Sequence, residues 1–178
     1  TIDEVKTLID APCRREDIKS AFLFSCYCGL RISDVLALKW KNVDCTGEQW
    51  HINIIMQKTQ QPLYLPLSMQ ARKWMPERDG SGEEEAVFST LPCEDTCNVQ
   101  IKQWVKEAGI TKHVTYHVSR HTFATMLLTL GADLYTVSKL LGHSQIKNTQ
   151  VYAEIINRRK VEAVNLADNV FDTDDNLL

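Results

Sequence analysis

The segment from Glu16 to Gly29, EDIKSAFLFSCYCG, most constrains the fold, because apolar side chains occupy most faces of the helix that it predicts. A helix that is apolar on most sides has to be covered by other elements. Gly29 is the expected end of this helix, since glycine commonly follows a helix C-terminus. With 178 residues, the chain is long enough to bury a core within one domain.

Further helices are predicted wherever apolar periodicity lies between a capping residue and a glycine or polar stop. They cover IDEVKTLID, ISDVLALKW, SMQARKWM, CEDTCNVQIKQWVKEAG, TYHVSRHTFATMLLTLG with Thr115 as cap, DLYTVSKLLG with Asp133 as cap, NTQVYAEI and NRRKVEAVNLA. Alternating β-branched residues predict a hairpin made of QWHINIIM, the turn KTQQP and LYLPL, and AVFST predicts a further short strand. The expected fold class is mostly α with a small antiparallel β-sheet.

The net charge of −3 argues at first against a nucleic-acid partner, but the charge is segregated along the chain. Residues 31–74 hold six basic and three acidic side chains, and residues 101–160 hold nine and three. Residues 75–100 hold one basic and seven acidic side chains, and residues 161–178 hold five acidic and none basic. A phosphate responds to the local charge within about 10 Å, so the two basic stretches remain candidates for DNA contact. We expect the acidic loop to lie away from DNA, and the acidic tail to meet a protein partner or fold back.

Cysteine and histidine spacings do not favour a metal site. The sequence shows no secretion signal, and its six cysteines do not have the CxxC spacing of zinc sites. Buried reduced thiols are therefore expected. His113, His117 and His121 recur every four residues, but no acidic residue of the HExxH type accompanies them. No apolar run is long enough to span a membrane. We therefore expect no metal, no membrane contact and a cytoplasmic location.

Four short motifs carry side chains suited to an anionic substrate. GLRISD places two opposite charges one helical turn apart, the hairpin turn carries a lysine, HVSR puts a histidine and an arginine on one helical face, and LGHSQIKNTQVYAEI joins a histidine to a tyrosine. Taken singly, each motif also fits a salt bridge, a surface lysine or a core tyrosine. Together they supply Arg31, Asp34, Lys58, His117, Arg120, His143 and Tyr152.

In order and spacing these motifs resemble the catalytic domain of the tyrosine recombinases, the integrases of phages and conjugative elements. The resemblance rests on GLRISDVLALKW, MQKTQQPLYLPL, HVSRHTFATMLL and TVSKLLGHSQIKNTQVYAEI, and it extends from Thr1 to about Leu166. It implies that fold, and it implies Arg31, Lys58, His117, Arg120, His143 and Tyr152 as catalytic residues. Asp34 would support the first arginine, and His121 would be either a helper near the phosphate or a packed core residue.

The chemistry implied by the resemblance is metal-independent and ATP-independent strand transfer, without a cofactor. Two guanidiniums and His143 would bind the phosphate oxygens, where the transition state gathers charge. Tyr152, with a phenol pKa near 10, needs help to lose its proton, and the family assigns the base to His117. Lys58 would protonate the leaving 5′-oxygen, which leaves a 3′-phosphotyrosyl enzyme and a free 5′-hydroxyl.

The resemblance also implies how the chain is organised and what it meets. Residues 1–178 would form a single catalytic domain, with a core over 1–156 and a C-terminal helix and acidic tail over 157–178 available for docking on a neighbouring subunit. On this resemblance, we expect the sequence to lack the family's N-terminal DNA-binding domain. The expected partners are double-stranded DNA recombination sites, a homo-tetramer on DNA in the full-length protein, and accessory DNA-bending proteins. The fragment alone is expected to be monomeric.

Two other functions fit parts of the sequence. A type IB topoisomerase uses the same chemistry to relax DNA without exchanging strands. A non-catalytic regulator fits the helix-turn-helix pattern of DLYTVSKLLGHSQIKNTQVYAEI, but it would not need the catalytic set.

Overall fold

The computed structural model describes residues 1–143, 152, 161, 164 and 165. The described part is mostly helical, with the helices α1 (Ile2–Asp10), α2 (Glu16–Cys28), α3 (Ile32–Ala37), α4 (Met69–Lys73), α5 (Glu94–Glu107), α6 (His117–Thr129) and α7 (Leu134–Leu140). A 3-10 turn at Trp40–Asn42 leads into a small sheet of β1 (Val43–Asp44), β2 (His51–Ile55) and β3 (Pro62–Pro66). The predicted fold class is confirmed.

Helix α2 is the central element, as its apolar faces predict. Ile18, Leu23 and Phe24 have no exposed surface, and α3, α4, α5 and α6 all contact this helix. The Phe22 ring meets the rings of Trp104 and Tyr116 edge-on, each with a centroid distance of 5.9 Å. Cysteine burial follows the expectation in part: Cys26, Cys28 and Cys97 are buried, Cys13 and Cys45 are half-buried and Cys93 is exposed, and all six are free thiols.

The sheet has the order β1-β2-β3 with antiparallel pairing throughout. Ile52 of β2 and Leu65 of β3 are register partners, and both point into the core. The predicted strand at AVFST is wrong: residues 87–90 form turns, and Ala86 makes only an isolated bridge to Lys39. Its apolar residues instead serve packing, since Val87 and Phe88 are buried.

The start of α6 is fixed by neighbouring helices and not by a hydroxyl cap. The predicted cap at Thr115 is wrong, because the helix begins at His117 with Tyr116 in the N-cap position. The Tyr116 backbone N–H donates to Asn98 Oδ1 at 2.7 Å, and its hydroxyl donates to the Ala21 carbonyl at 2.7 Å. The predicted cap of α7 is confirmed: Asp133 Oδ1 accepts from the Thr136 N–H at 2.9 Å.

Two apolar clusters meet along a seam next to Gly29. The larger cluster surrounds α2, and the smaller one joins α6 and α7 through Phe123, Ala124, Leu128, Val137, Leu141 and Tyr152. Gly29 has a φ of 75°, and a Cβ added there would lie 2.5 Å from Phe123 Cδ1. The backbone at the end of α2 thus touches the α6–α7 cluster directly, and Arg31 follows two residues later.

The predicted helices NTQVYAEI and NRRKVEAVNLA lie outside the described residues, apart from Tyr152, Val161, Val164 and Asn165. In the part of the chain that the structure describes, no helix combines the length and hydropathy needed to cross a membrane.

Candidate active site

Arg120 of α6 is buried at the seam between the two apolar clusters and forms hydrogen bonds to the ends of α2 and α7. Its side chain is 4% exposed, with Nη1 donating to the Gly29 carbonyl at 2.7 Å and Nη2 to the Leu141 carbonyl at 2.5 Å. Both carbonyls belong to C-cap residues, where the backbone lacks partners within its own helix. Burial, together with the positive charge of Arg31, lowers the Arg120 pKa to about 10, so the guanidinium stays protonated at neutral pH.

Arg31 lies beside Arg120 in the fold because α3 begins directly after the Gly29 turn. Its Nη1 is 3.9 Å from Asp34 Oδ2 and 3.6 Å from Met56 Sδ. Asp34 is 2% exposed, and its Oδ1 accepts the Gln57 backbone N–H at 2.7 Å. The predicted pairing of Arg31 with Asp34 is therefore present as a long ion pair. The same carboxylate ties α3 to the β2–β3 hairpin.

Lys58 occupies the exposed hairpin turn that the sequence predicts, next to the Gln57 amide that Asp34 holds. Its positive charge is among the influences that lower the pKa of His117, so the hairpin tip lies within electrostatic range of α6. The turn is closed by the Met56 N–H, which donates to the Gln61 carbonyl at 2.9 Å.

His117 and His121 lie one turn apart on α6, with ring centroids 4.8 Å apart in an edge-on arrangement. His121 Nδ1 is 2.9 Å from the Tyr152 hydroxyl oxygen. His121 is exposed, so the alternative that it is a packed core residue is wrong. Partial burial and the nearby cationic groups lower the pKa of both histidines, and both are therefore neutral at neutral pH.

Tyr152 is 6% exposed and belongs to the α6–α7 cluster. Burial raises the pKa of its phenol, while the positive charge of Arg120 acts in the opposite direction. The phenol is therefore protonated at neutral pH and donates to any neutral acceptor that faces it. The described residue that meets its hydroxyl is His121.

His143 follows the end of α7, and its backbone N–H donates to the Ser138 carbonyl at 3.0 Å. Burial, followed by the charges of Arg120 and Arg31, lowers its pKa to about 4, which keeps the imidazole neutral. A Cβ added at the preceding Gly142 would lie 2.6 Å from Met56 Sδ. This close approach sets His143 against the hairpin end that also contacts Arg31.

The structure thus brings all eight predicted site residues into one group connected through contacts or charge effects. Seven of them are Arg31, Asp34, His117, Arg120, His121, His143 and Tyr152. Lys58 is the eighth, at the hairpin tip. Sequence reasoning missed Met56 and Gln57, which join Arg31 and Asp34 to the hairpin. Met56 alternates within a strand pattern like any core residue, and Gln57 acts through its backbone, so neither leaves a signal in the sequence.

The acidic loop packs against the first basic stretch. Glu84 accepts hydrogen bonds from Lys39 Nζ at 2.9 Å and from Lys41 Nζ at 2.7 Å. The Trp40 N–H donates to the Glu85 carbonyl at 3.1 Å, which anchors the loop backbone to the same turn. Two of the lysines in residues 31–74 therefore share one carboxylate within the chain.

Within the described residues, no group of three or more His, Cys, Asp or Glu side chains is arranged to hold a metal ion. His113 lies outside α6, on the loop before it, which breaks the four-residue spacing with His117 and His121 as a helical face.

Comparison with known proteins gives concordant matches. The model of the phage integrase family matches residues 1–159. Tyrosine recombinase XerD of Pseudomonas putida is 31% identical over 172 residues, which cover 88% of this chain and 57% of the relative. Tyrosine recombinase XerC of Serratia marcescens is 33% identical over 137 residues, which cover 71% of this chain and 44% of the relative. The chain thus spans about half the length of the curated relatives it matches.

Two solved structures show the same fold. The crystal structure of XerA recombinase superposes with a TM-score of 0.71 at 24% identity, over 92% of this chain and 64% of that one. The Tn1549 transposon integrase, solved in complex with circular intermediate DNA, gives a TM-score of 0.65 at 20% identity, over 85% of this chain and 59% of that one.

Proposed function

Because the chain belongs to the phage integrase family, we propose that it is the catalytic part of a site-specific DNA recombinase, which cleaves and rejoins DNA through a covalent 3′-phosphotyrosyl intermediate. The observation that carries this proposal is the setting of Tyr152. Its hydroxyl lies 2.9 Å from a neutral imidazole, and its phenol feels the charge of a buried arginine. A tyrosine packed only for stability needs neither.

The two arginines are proposed to bind the scissile phosphate. A guanidinium carries five N–H donors, and Arg120 donates one from each Nη to a backbone carbonyl. Three donors remain on a side chain that packing has already fixed in place. Arg31 approaches from a different element, so the pair is suited to clamp two non-bridging oxygens as charge develops on them. We assign His143 as a further donor to the same oxygens and Asp34 as the residue that orients Arg31.

The proton balance of cleavage assigns the remaining roles. The Tyr152 proton has to pass to a base as the phenol oxygen attacks phosphorus, and the neutral pair His117 and His121 lies beside it. The 5′-oxygen that leaves has to gain a proton, and we propose Lys58 as its donor. An exposed hairpin tip next to α6 is suited to reach that oxygen when DNA occupies the site.

A nicked suicide substrate tests the nucleophile, because its short 5′ fragment diffuses away and traps the covalent adduct. We expect a protein–DNA band with the wild-type chain and none with Tyr152→Phe. Tyr135→Phe is the matched control, since Tyr135 is 58% exposed on α7 and its ring lies under the Lys139 ammonium. An adduct that persists in Tyr152→Phe would refute the assignment of the nucleophile.

The role of Lys58 has its own chemical test. Lys58→Ala is expected to cleave a normal substrate poorly and to regain cleavage when the leaving group is a 5′-thiolate, because a thiolate needs no proton. The exposed Lys73→Ala is a suitable control, since Lys73 lies on α4 outside the proposed site. Slow cleavage of both substrates by Lys58→Ala would contradict the assignment of Lys58 as the general acid.

Two further assays, one of strand exchange and one of supercoil relaxation, separate recombination from its alternatives. Strand exchange between two duplexes supports the recombinase, and relaxation of supercoils without exchange supports a type IB topoisomerase. A helix-turn-helix regulator would form no adduct and would keep its function in Tyr152→Phe.

At the level of the whole protein we propose integration or excision of a mobile element in the bacterial cytoplasm, at double-stranded recombination sites and with accessory DNA-bending proteins. Residues 1–156 form the proposed catalytic core, and 157–178 the segment that docks on a neighbouring subunit in a tetramer. Val161 and Val164 support this docking, because they are 61% and 67% exposed and lie one helical turn apart. Sedimentation of the chain on DNA, with and without residues 157–178, tests it: equal assembly would count against docking.

A further inference from the structure

We propose that His121 is the base that takes the Tyr152 phenol proton during cleavage, a role that the family resemblance gives to His117. This inference deepens the proposed function and rests on it. It follows from which imidazole touches the nucleophile.

The hydroxyl contact belongs to His121. The 2.9 Å distance between Nδ1 and the Tyr152 oxygen is within the range in which a general base accepts a proton directly. His117 meets the side of the His121 ring, with centroids 4.8 Å apart, and it is itself exposed at the start of α6. A proton leaving Tyr152 therefore meets His121 before it can reach His117.

The surroundings of His121 keep the imidazole neutral until the proton arrives. On its own helix its neighbours are Arg120 and His117, and from outside the helix Tyr152 contacts it and His143 lies within range of its charge. Across the adjacent cavity lie four more titratable groups: the Thr1 amino group, Glu4 of α1, and Lys112 and His113 of the loop before α6. The Glu4 carboxylate pairs with both the Thr1 amino group at 2.7 Å and Lys112 at 2.8 Å.

A neutral imidazole has one nitrogen that donates and one that accepts. With Nδ1 facing a protonated phenol, Nδ1 accepts and Nε2 carries the hydrogen. Partial burial and the charge of Arg120 lower the pKa of His121, so this neutral form persists below the pH at which a free imidazole becomes charged. The cavity of about 240 Å³ that His121 lines has room for water, which can take a proton from Nε2 afterwards.

The proposed step balances as follows. The Tyr152 O–H bond breaks and its proton moves to His121 Nδ1 while the phenol oxygen forms a bond to phosphorus. The bond from phosphorus to the 5′-oxygen breaks, and that oxygen takes a proton from Lys58. In the reverse step the incoming 5′-hydroxyl returns a proton to Lys58, and the departing phenol oxygen regains one from His121 Nδ1 while Nε2 recovers any proton that it passed to the cavity water.

His121→Gln is the decisive variant, because its amide oxygen can still accept the phenol hydrogen bond but cannot take the proton. We expect single-turnover cleavage to fall by about 10²- to 10⁴-fold, the usual contribution of a general base, with unchanged DNA affinity. His113→Gln is the control: it lines the same cavity but lies off α6. Its cleavage rate should match the wild type.

Two further readouts separate a base from a structural contact. Wild-type cleavage should fall as pH drops and His121 becomes protonated, whereas His121→Gln should lose this acid limb. Placing a more acidic fluorotyrosine at position 152 should shrink the defect of His121→Gln, since a weaker base then suffices. Added imidazole should restore part of the activity of His121→Ala.

Failures of the two proposals look different. If the wild type forms no adduct, the recombinase proposal fails. If the wild type forms one and His121→Gln cleaves equally fast, or His121→Ala cleaves faster, only the inference about His121 fails. A measurement without DNA adds an independent check: the ¹⁵N shift of His121 Nδ1 should be that of an unprotonated acceptor, and Tyr152→Phe should change it. A protonated Nδ1 would overturn the inference.

Discussion

Replacing Gly29 with alanine tests whether the seam between the two apolar clusters is as tight as the structure indicates. Gly29 ends α2 with a φ of 75°, and its carbonyl receives the Arg120 guanidinium at 2.7 Å. An added Cβ would lie 2.5 Å from Phe123 Cδ1 and 3.1 Å from Leu141 Cδ2. Neither neighbour can retreat easily, because Phe123 is 5% exposed and Leu141 has no exposed surface.

The expected loss has two parts. A non-glycine residue in the left-handed region costs about 1–2 kcal/mol. Forcing a methyl group into a packed interface costs about a further 1–3 kcal/mol, since a 2.5 Å carbon contact requires the phenyl ring or the backbone to shift. Gly29→Ala should therefore lower the free energy of unfolding by about 2–5 kcal/mol.

Urea denaturation of Gly29→Ala and Gly109→Ala separates these parts. Gly109 follows α5 with a φ of 77°, and an added Cβ there meets nothing within 4 Å. The control should lose only the backbone part, about 1–2 kcal/mol. Equal losses in the two variants would show that the end of α2 does not approach Phe123 closely, and would refute the tight contact between the two clusters at Gly29.

Three further perturbations follow from the site. Asp34→Ala should cost about 1–3 kcal/mol and slow cleavage, because it removes the charged acceptor of the partly buried Gln57 N–H; Asp34→Asn, whose amide oxygen can still accept, should recover most of the stability in denaturant titrations. Glu84→Gln should raise DNA affinity and steepen its dependence on salt in binding titrations, since Lys39 and Lys41 become free to meet phosphates; an unchanged slope would mean that these lysines do not face DNA. Because burial lowers the His143 pKa from 6.5 to about 4, the unfolded chain binds a proton in this interval that the folded chain does not. Stability should therefore fall as pH drops from 6.5 to 4, and His143→Gln should flatten that fall in denaturation curves measured across the interval.

The parts of the fold that the sequence predicts are those with a strong local signal. Because α2 is apolar on most of its faces, other elements have to cover it, and in the structure they do. Asp133 caps α7 because a carboxylate and an N–H three residues on meet within one turn. Arg31 directly precedes α3 and Lys58 occupies the hairpin turn, two element ends that the same local rules locate.

The parts that the sequence does not predict depend on contacts between distant segments. Thr115 looks like a cap, yet Tyr116 takes the N-cap position because Asn98 and Ala21, distant in sequence, satisfy its polar atoms. Strand β1 has two residues and exists only by pairing with β2. His121 gives no sign in the sequence of touching Tyr152, 31 residues later, because the contact needs α7 to fold back on α6.

Arg120 and Arg31 differ in a way that decides how their variants should be interpreted. Arg120 carries two backbone hydrogen bonds that join the ends of α2 and α7, so its removal leaves two buried carbonyls unpaired in addition to removing a charge. Lost cleavage in Arg120→Ala would therefore not by itself show that Arg120 binds phosphate. Arg31 makes one long ion pair and a contact with a thioether, so Arg31→Lys perturbs the fold far less. A loss of cleavage at unchanged stability in Arg31→Lys would thus isolate the planar, two-pronged contact with the phosphate that a lysine cannot make.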